Sequence, residues 1–244
     1  VLSEKVDSLG NMLCVLLGHA HGAHAARMVA ALPHCVYGIP CFHPQMPDGV
    51  PPYHNRAMWP FLEGYYAQAA AAVENESALA LAFACMVRAA LLWQDAAWPW
   101  PAYGPVVMAA VGAGVPVLGG NLPRSAMAAA MQETRWDHHL APTARQQLLD
   151  ALQDGHCGLL PAARLPAMAR VQIARDASMA LTAQEAVRPG QTVLLVAGGE
   201  HVLRHRGIPT HWPQNIRSKV ASAYTEQAQA AIKTGVDIVV ATPP

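Results

Sequence analysis

Three short apolar runs that each end in glycine constrain the fold of this chain most strongly. The runs occupy residues 11–17, 115–118 and 193–197, and the glycines that follow them are Gly18, Gly119 and Gly198. Short uninterrupted apolar runs are typical of strands that are buried on both faces, as in parallel sheets covered by helices. The pattern therefore predicts an α/β fold in which the three runs are neighbouring parallel strands.

Helical patterns fill the segments between these runs. Helices are predicted at residues 20–32, 67–93 (one helix or a pair), 105–113, 125–133, 142–153 and 165–187. Residues 216–224 and 236–242 have strand composition. We expect a single domain over residues 1–244, with a mainly parallel sheet flanked by helices and a helix-rich subdomain over about 125–187.

Residues 22–88 are atypical of such a domain. Prolines crowd the part from residue 33 to residue 66, where no periodic apolar pattern persists. A long stretch without regular structure is uncommon inside a compact domain. We interpret residues 22–88 as an irregular insertion or as the product of a shifted reading frame.

Charge and composition exclude several classes of protein. Lys and Arg together number 16, as do Asp and Glu, so the net charge is zero and gives no attraction to nucleic acid. The longest apolar windows fall short of the roughly 20 residues that a membrane span needs. The five cysteines form no CxxC pair, which argues against a disulfide framework and a thiolate zinc site. We expect no nucleic-acid partner and no transmembrane segment in this chain.

Two of the glycine turns carry a histidine at the same spacing. His21 follows Gly18, and His201 follows Gly198, in each case by three residues. Imidazoles at the carboxyl ends of neighbouring strands could bind a metal, transfer protons or contact haem, and the alternative is an ordinary turn histidine. Arg124 follows the third turn, where its guanidinium could hold a carboxylate or propionate bidentately or form an ordinary salt bridge.

Several strings after residue 93 occur in an order that resembles a known family. They are GNLPR at 120–124, DGHCGLLP at 154–161, RD at 175–176 before MA at 179–180, and GIP at 207–209 after the 198–201 turn. In this order the strings resemble the ChaN-like haem-binding uptake proteins of the Tiki superfamily. The resemblance extends from Trp93 to the C terminus.

The resemblance implies a haem-binding protein of iron uptake with a parallel sheet and a helical subdomain. The site positions of the superfamily map onto His21, Arg124 and His201, and Arg204 is a further cation for the haem propionates. Haem is the expected cofactor and partner, and we consider a homodimer as well. Family members are associated with the bacterial cell envelope, as membrane-anchored lipoproteins or in the periplasm.

The resemblance also implies a tyrosine ligand to the haem iron. Tyr103, in an aromatic and proline-rich run, is the candidate outside residues 22–88. Its alternative, which the sequence favours, is an aromatic packing cluster at a helix boundary.

Two departures from the family pattern bear on catalysis. His19 stands where the family carries an acid, and Gly22 stands where it carries an aspartate. Loss of the acid removes a general base and a metal ligand, so the sequence favours binding over catalysis. The alternatives are a metal-dependent hydrolase, with zinc or manganese held by His21 and His201, and a non-catalytic interaction domain.

Overall fold

A computed structural model of the chain describes residues 5–35, 38–46, 58–224 and 236–241. The chain divides into two compact units, Val1–Val117 and Leu118–Pro244. Among the described residues, helices predominate in both units, and the strands form two small sheets of two strands each. The fold is therefore mixed α and β.

In its described residues, the first unit is a helical assembly with one short strand pair. Its helices are α1 (Ser8–Leu16), α2 (Gly22–Ala30), α3 (Pro60–Ala72), α4 (Glu76–Ala90) and α5 (Trp100–Gly112). Strand β1 (Val6–Asp7) pairs antiparallel with β2 (Phe42–His43). Helix α3 packs against α1, α2 and α4, and the fully buried Met12, Leu62 and Tyr66 lie in their shared core.

The second unit is organised around one long helix. Its elements are α6 (Met127–Gln132), α7 (Pro142–Gly155), α8 (Leu165–Ala186), β3 (Ala221–Tyr224) and β4 (Ile238–Ala241). Helices α6 and α7 and the 3₁₀ turn Ile208–His211 all contact α8. Because α8 packs against neighbours on several sides, it carries the buried Val171, Ile173, Ala174, Met179 and Ala180.

The structure confirms most of the predicted helices. Helix α8 ends one residue before its predicted end, α7 begins at the predicted Pro142, and residues 67–93 contain parts of a helix pair. The expectation of an irregular segment over residues 33–66 is wrong at its end, because α3 begins at Pro60 with proline in its first turn. Residues 36–37 and 47–57 lie outside the described residues.

The prediction of a strand at residues 11–17 is wrong, because residues 11–16 belong to α1 and Leu17 follows its end. Asp7 caps this helix by accepting a hydrogen bond from the Gly10 N–H at 3.1 Å. Ser8, Met12 and Val15 are buried at a spacing of four and three residues, which defines one helical face. An apolar run without polar interruptions does not distinguish a helix from a buried strand, and here the cap and the packing favour the helix.

The predicted main sheet is not found in the described ranges. Residues 115–118 and 193–197 are not in strands, and no backbone hydrogen bond joins them to each other. The third predicted strand, at residues 11–17, lies almost entirely in helix α1, so these two segments lack a strand with which they were predicted to pair. Parallel pairing occurs between β3 and β4, which confirms strands within the last two predicted runs.

Residues 193–197 pack along one side of α8, and their side chains alternate between covered and exposed. Leu195 and Ala197 pack with Met179 and Ala180, whereas Leu194 is 82% exposed and Val196 is 56% exposed. This period of two is that of a strand with one covered face. The segment also leaves backbone donors and acceptors unpaired among the described residues. Such an edge is a template for association between chains.

We expect the double substitution Leu194→Lys and Val196→Lys to reduce self-association of the protein. Lysine places charge on the exposed side of the segment without altering the side that packs on α8. Light scattering over a concentration series measures the effect. Leu159→Lys is the matched control, because Leu159 is 83% exposed and lies outside the segment. An equal reduction by the control would contradict this role of residues 193–197.

Glu63 is a carboxyl group buried in the first unit. The residue is 5% exposed, its Oε1 accepts a hydrogen bond from the Ile39 N–H, and its Oε2 has no partner among the residues described. Burial raises the pKa of Glu63, and the bond from Ile39 opposes this rise. Because its pKa is raised in the folded state, the protonated Glu63 carboxyl group contributes fully to the stability of the protein at low pH. This contribution is lost as the pH rises through the raised pKa.

We therefore expect Glu63→Gln to gain stability relative to the original protein as the pH rises from about 5 to about 8. The glutamine can still accept the Ile39 bond but never acquires a buried charge. Urea unfolding at several pH values measures the difference in the free energy of unfolding. The exposed Glu74 provides the control Glu74→Gln, for which a flat difference is expected. If the difference in the free energy of unfolding between Glu63→Gln and the original protein did not change with pH, that would contradict a raised pKa of Glu63.

Candidate functional site

His201 and Asp176 form a hydrogen-bonded pair in the second unit. Asp176 is 4% exposed on α8, and its Oδ1 lies 2.5 Å from Nδ1 of His201. His201 belongs to the 3₁₀ turn Gly199–Val202, and its side chain is 18% exposed. Because Nδ1 faces the carboxyl group, Nε2 is the ring nitrogen left for a ligand or a proton.

Burial and charge act in opposite directions on Asp176. Burial raises the pKa of this carboxyl, whereas the hydrogen bond and charge of His201, and then the charge of Arg175, lower it. A buried carboxyl is costly unless it has a partner. The imidazole of His201 is therefore part of what allows an acid at this position.

Helix α8 also holds the 120–124 string beside this pair. Arg175 Nε donates to Asn121 Oδ1 at 3.0 Å, and Ser178 Oγ donates to the Gly120 carbonyl oxygen at 3.0 Å. A Cβ on Gly120 would lie 3.5 Å from Met179 Cα, which shows how closely the two backbones approach. The family-like strings at residues 120–124 and 175–176, which are distant in sequence, therefore contact each other at α8.

In the turn that carries His201, glycine is required at position 207 more than at position 198. Gly198 has φ −62° and ψ 150°, which any residue adopts, and a Cβ there would lie 3.7 Å from His201 Cδ2. A Cβ on Gly207 would overlap the His201 carbonyl oxygen and lie 2.6 Å from its carbonyl carbon. The backbone at Gly198 therefore does not need glycine, whereas the close approach at Gly207 does.

Two other charged residues near His201 in sequence already have partners. Glu200 forms an ion pair with Arg206, which is 7% exposed. Arg204 forms an ion pair with Asp237 and donates to the Ser218 carbonyl oxygen at 2.9 Å. A propionate would have to compete with Asp237 for Arg204.

Arg124 lies at the exposed start of the 3₁₀ turn Arg124–Ala126, directly after Pro123. Within residues 58–224 and the other described ranges, no acid forms an ion pair with it. Its guanidinium is thus a cation open to an anionic group of a ligand.

His21 belongs to the first unit, and Arg124 and His201 belong to the second. His21 directly precedes α2, and its Nδ1 lies 3.2 Å from the Gly18 carbonyl oxygen. A cavity of about 420 Å³ adjoins it, lined by Gly18, Ala25, Val73, Glu74 and neighbouring small residues. The premise that His21 and His201 follow strands of one sheet is wrong, because Gly18 follows helix α1.

Tyr103 lies on α5 in an aromatic cluster. Its ring centroid is 4.6 Å from that of Trp98 in an edge-on arrangement, and Trp93 and Trp100 pack edge-on at 5.1 Å. The packing interpretation of this aromatic run accounts for these contacts.

Side-chain contacts hold the segment around Asp137 and His139 in the second unit. Asp137 accepts hydrogen bonds from Arg145 at 3.0 Å and from Arg170 at 2.6 Å and 3.0 Å. His139 stacks on His211 with ring centroids 3.9 Å apart, and burial, with a smaller effect of His139, lowers the pKa of His211 to about 4. Asp137 thus connects its turn to α7 and α8, and the stack of His139 on His211 connects the same segment to the turn Ile208–His211.

Two properties of the described residues concern metals and membranes. No group of three or more His, Cys, Asp or Glu side chains in these ranges is placed to hold a metal ion. No helix in the described part of the chain is long and apolar enough to cross a membrane.

Comparison with known proteins identifies the family. No curated protein and no solved structure matches the chain. A family model described as haem-binding uptake, Tiki superfamily, ChaN, matches residues 84–212, just over half of the chain. The match includes Arg124, Asp176 and His201, and its start lies near the point where the family-like sequence begins. The chain therefore belongs to the ChaN family of haem-binding uptake proteins in the Tiki superfamily.

Proposed function

We propose that this protein binds haem in a haem or iron uptake process and that His201 donates to the iron. The observation that carries the proposal is the Asp176–His201 pair, which lies within the stretch that matches the haem-binding family. The carboxyl group is hydrogen-bonded to Nδ1, which leaves Nε2 as the nitrogen that would bind the iron. Histidine is a common axial ligand of haem iron.

Other residues of the second unit fit the remaining needs of haem. The propionates require cations, and Arg124 has no acid partner among the residues described. Arg175, next to Asp176, is held by the neutral side chains of Asn121 and Gln172. The porphyrin requires apolar surface, and Leu118 and Leu194 are exposed in this unit. Bound haem would supply the iron and its redox chemistry.

A metal-dependent hydrolase is the second candidate, and the Asp176–His201 pair is the observation in its favour, because a carboxylate can orient a histidine base. Hydrolysis also requires a metal-bound water and a base to activate it. Glu200, the acid nearest to His201 in sequence, is already engaged by Arg206. The site therefore supports binding better than hydrolysis.

A hemin titration of the full chain tests the proposal. We expect a shifted Soret band that saturates at one haem per chain, and no metal-dependent turnover of an ester or peptide in the presence of zinc or manganese. Apolar dyes and metal-free protoporphyrin serve as controls for non-specific binding to exposed apolar surface. A Soret change that never saturates, or turnover that is lost in His201→Ala, would contradict haem binding as the function.

A further inference from the structure

We infer that a cavity in the first unit binds an organic cation, a primary ammonium group on a small apolar body, and that the Glu74 carboxylate holds its charge. The cavity has a volume of about 420 Å³ and is lined by residues of α1, α2 and α3 and of the turns beside them. This volume is in the usual range of small-ligand sites. Arg124 and His201 belong to the other unit, so the inference does not rest on haem binding.

Glu74 supplies the full negative charge of this cavity. It follows Val73, the C-cap of α3, and no cation pairs with its carboxylate in the part of the chain that the structure describes. Its backbone has φ 53°, in the left-handed region that favours glycine. An acid at a backbone position of this kind points to a use for the carboxylate.

The ends of three helices add partial charges around the carboxylate. Helix α1 contributes Val15 and the following Gly18 from its C-terminal end, and α3 contributes Ala72 from its own, whereas α2 contributes Gly22 from its N-terminal end. A helix carries roughly half a negative charge at its C terminus and roughly half a positive charge at its N terminus. Two negative ends and a carboxylate outweigh one positive end, so the cavity attracts a cation.

His21 adds a hydrogen-bond acceptor to the lining. Its Nδ1 lies 3.2 Å from the Gly18 carbonyl oxygen, which can only accept, so Nε2 is the acceptor left for a ligand. A primary ammonium group has three donors to share between this nitrogen and the Glu74 carboxylate. A quaternary ammonium group has none and is usually held by aromatic rings, and no Phe, Tyr or Trp is among the described residues that line the cavity.

The rest of the lining favours an organic cation over a metal ion. These residues have small apolar side chains, and they are Val15, Ala20, Ala25, Ala26, Ala72 and Val73. They offer no side-chain oxygen beyond Glu74, whereas hard metal ions require several oxygen ligands. The small side chains instead provide apolar surface for the body of the ligand.

An NMR titration of the nitrogen-15-labelled full chain with butylammonium, 1-butanol and butyrate tests the inference. The three probes have similar apolar bodies and differ in charge. We expect saturable shifts of the amides of Ala20 and Gly22, with the highest affinity for butylammonium and the lowest for butyrate. Binding of butyrate as tight as that of butylammonium, or shifts that spread over the chain without saturation, would overturn the cation site.

Glu74→Gln removes the charge and keeps the size of the side chain. We expect it to weaken butylammonium binding by about three- to fivefold, as for an exposed ion pair, and to leave 1-butanol binding unchanged. Glu76→Gln is the matched control, because Glu76 is exposed, two residues away and outside the lining. An unchanged affinity in Glu74→Gln, or an equal loss in Glu76→Gln, would overturn the role of Glu74. A separate hemin titration that failed would overturn the proposed function and leave this site in place.

Discussion

Replacing Gly207 with alanine is expected to lower the free energy of unfolding of the second unit by about 3 kcal/mol. The added Cβ would overlap the His201 carbonyl oxygen and lie 3.0 Å from the Leu203 carbonyl oxygen. Both are backbone atoms, so relief requires the whole turn that carries His201 to shift. Urea unfolding measures the loss, and the affinity for hemin should fall with it.

Gly198→Ala is the matched control for this prediction. Gly198 lies on the other side of His201 in sequence, and its φ of −62° suits alanine. The added Cβ would meet only His201 Cδ2, at the ordinary contact distance of 3.7 Å. We expect little change in stability. Equal destabilisation by the two substitutions would contradict the close packing of Gly207 against His201.

Replacing His201 with alanine is expected to weaken hemin binding by at least about tenfold, because it removes the axial donor and leaves the buried Asp176 without its partner. His205→Ala is the control, since His205 is exposed and lies only four residues away. Arg124→Ala should weaken binding less, because it removes one exposed charge contact to a propionate. Loss of affinity in His205→Ala equal to that in His201→Ala would argue against a specific donor.

The helices were predictable because their signals are local. Pro142 marks the start of α7, and the predicted C-terminal end of α8 differs from the observed end by one residue. Sheet pairing was not predictable, because it depends on neighbours distant in the chain. Because residues 11–16 fold as part of α1, residues 193–197 have no strand to pair with in the described part of the chain.

At the candidate site, sequence reasoning named His201 as a site residue and did not name Asp176, to which His201 is hydrogen-bonded in the structure. The missed signal was present in the helical pattern of α8. Ala169, Ile173, Asp176, Ala180 and Ala183 follow one another at spacings of three and four residues, and all are buried. An acid on the buried face of a predicted helix requires a partner, and that requirement could have pointed to a histidine from another segment.

The iron ligand in the hemin complex is the most direct test of the central claim. Resonance Raman spectra of the reduced complex should show an iron–histidine stretch that is absent in His201→Ala. Added imidazole should restore the band in that variant, because it can occupy the space that the side chain leaves. A tyrosinate signature in the ferric complex that is lost in Tyr103→Phe and retained in His201→Ala would contradict the claim.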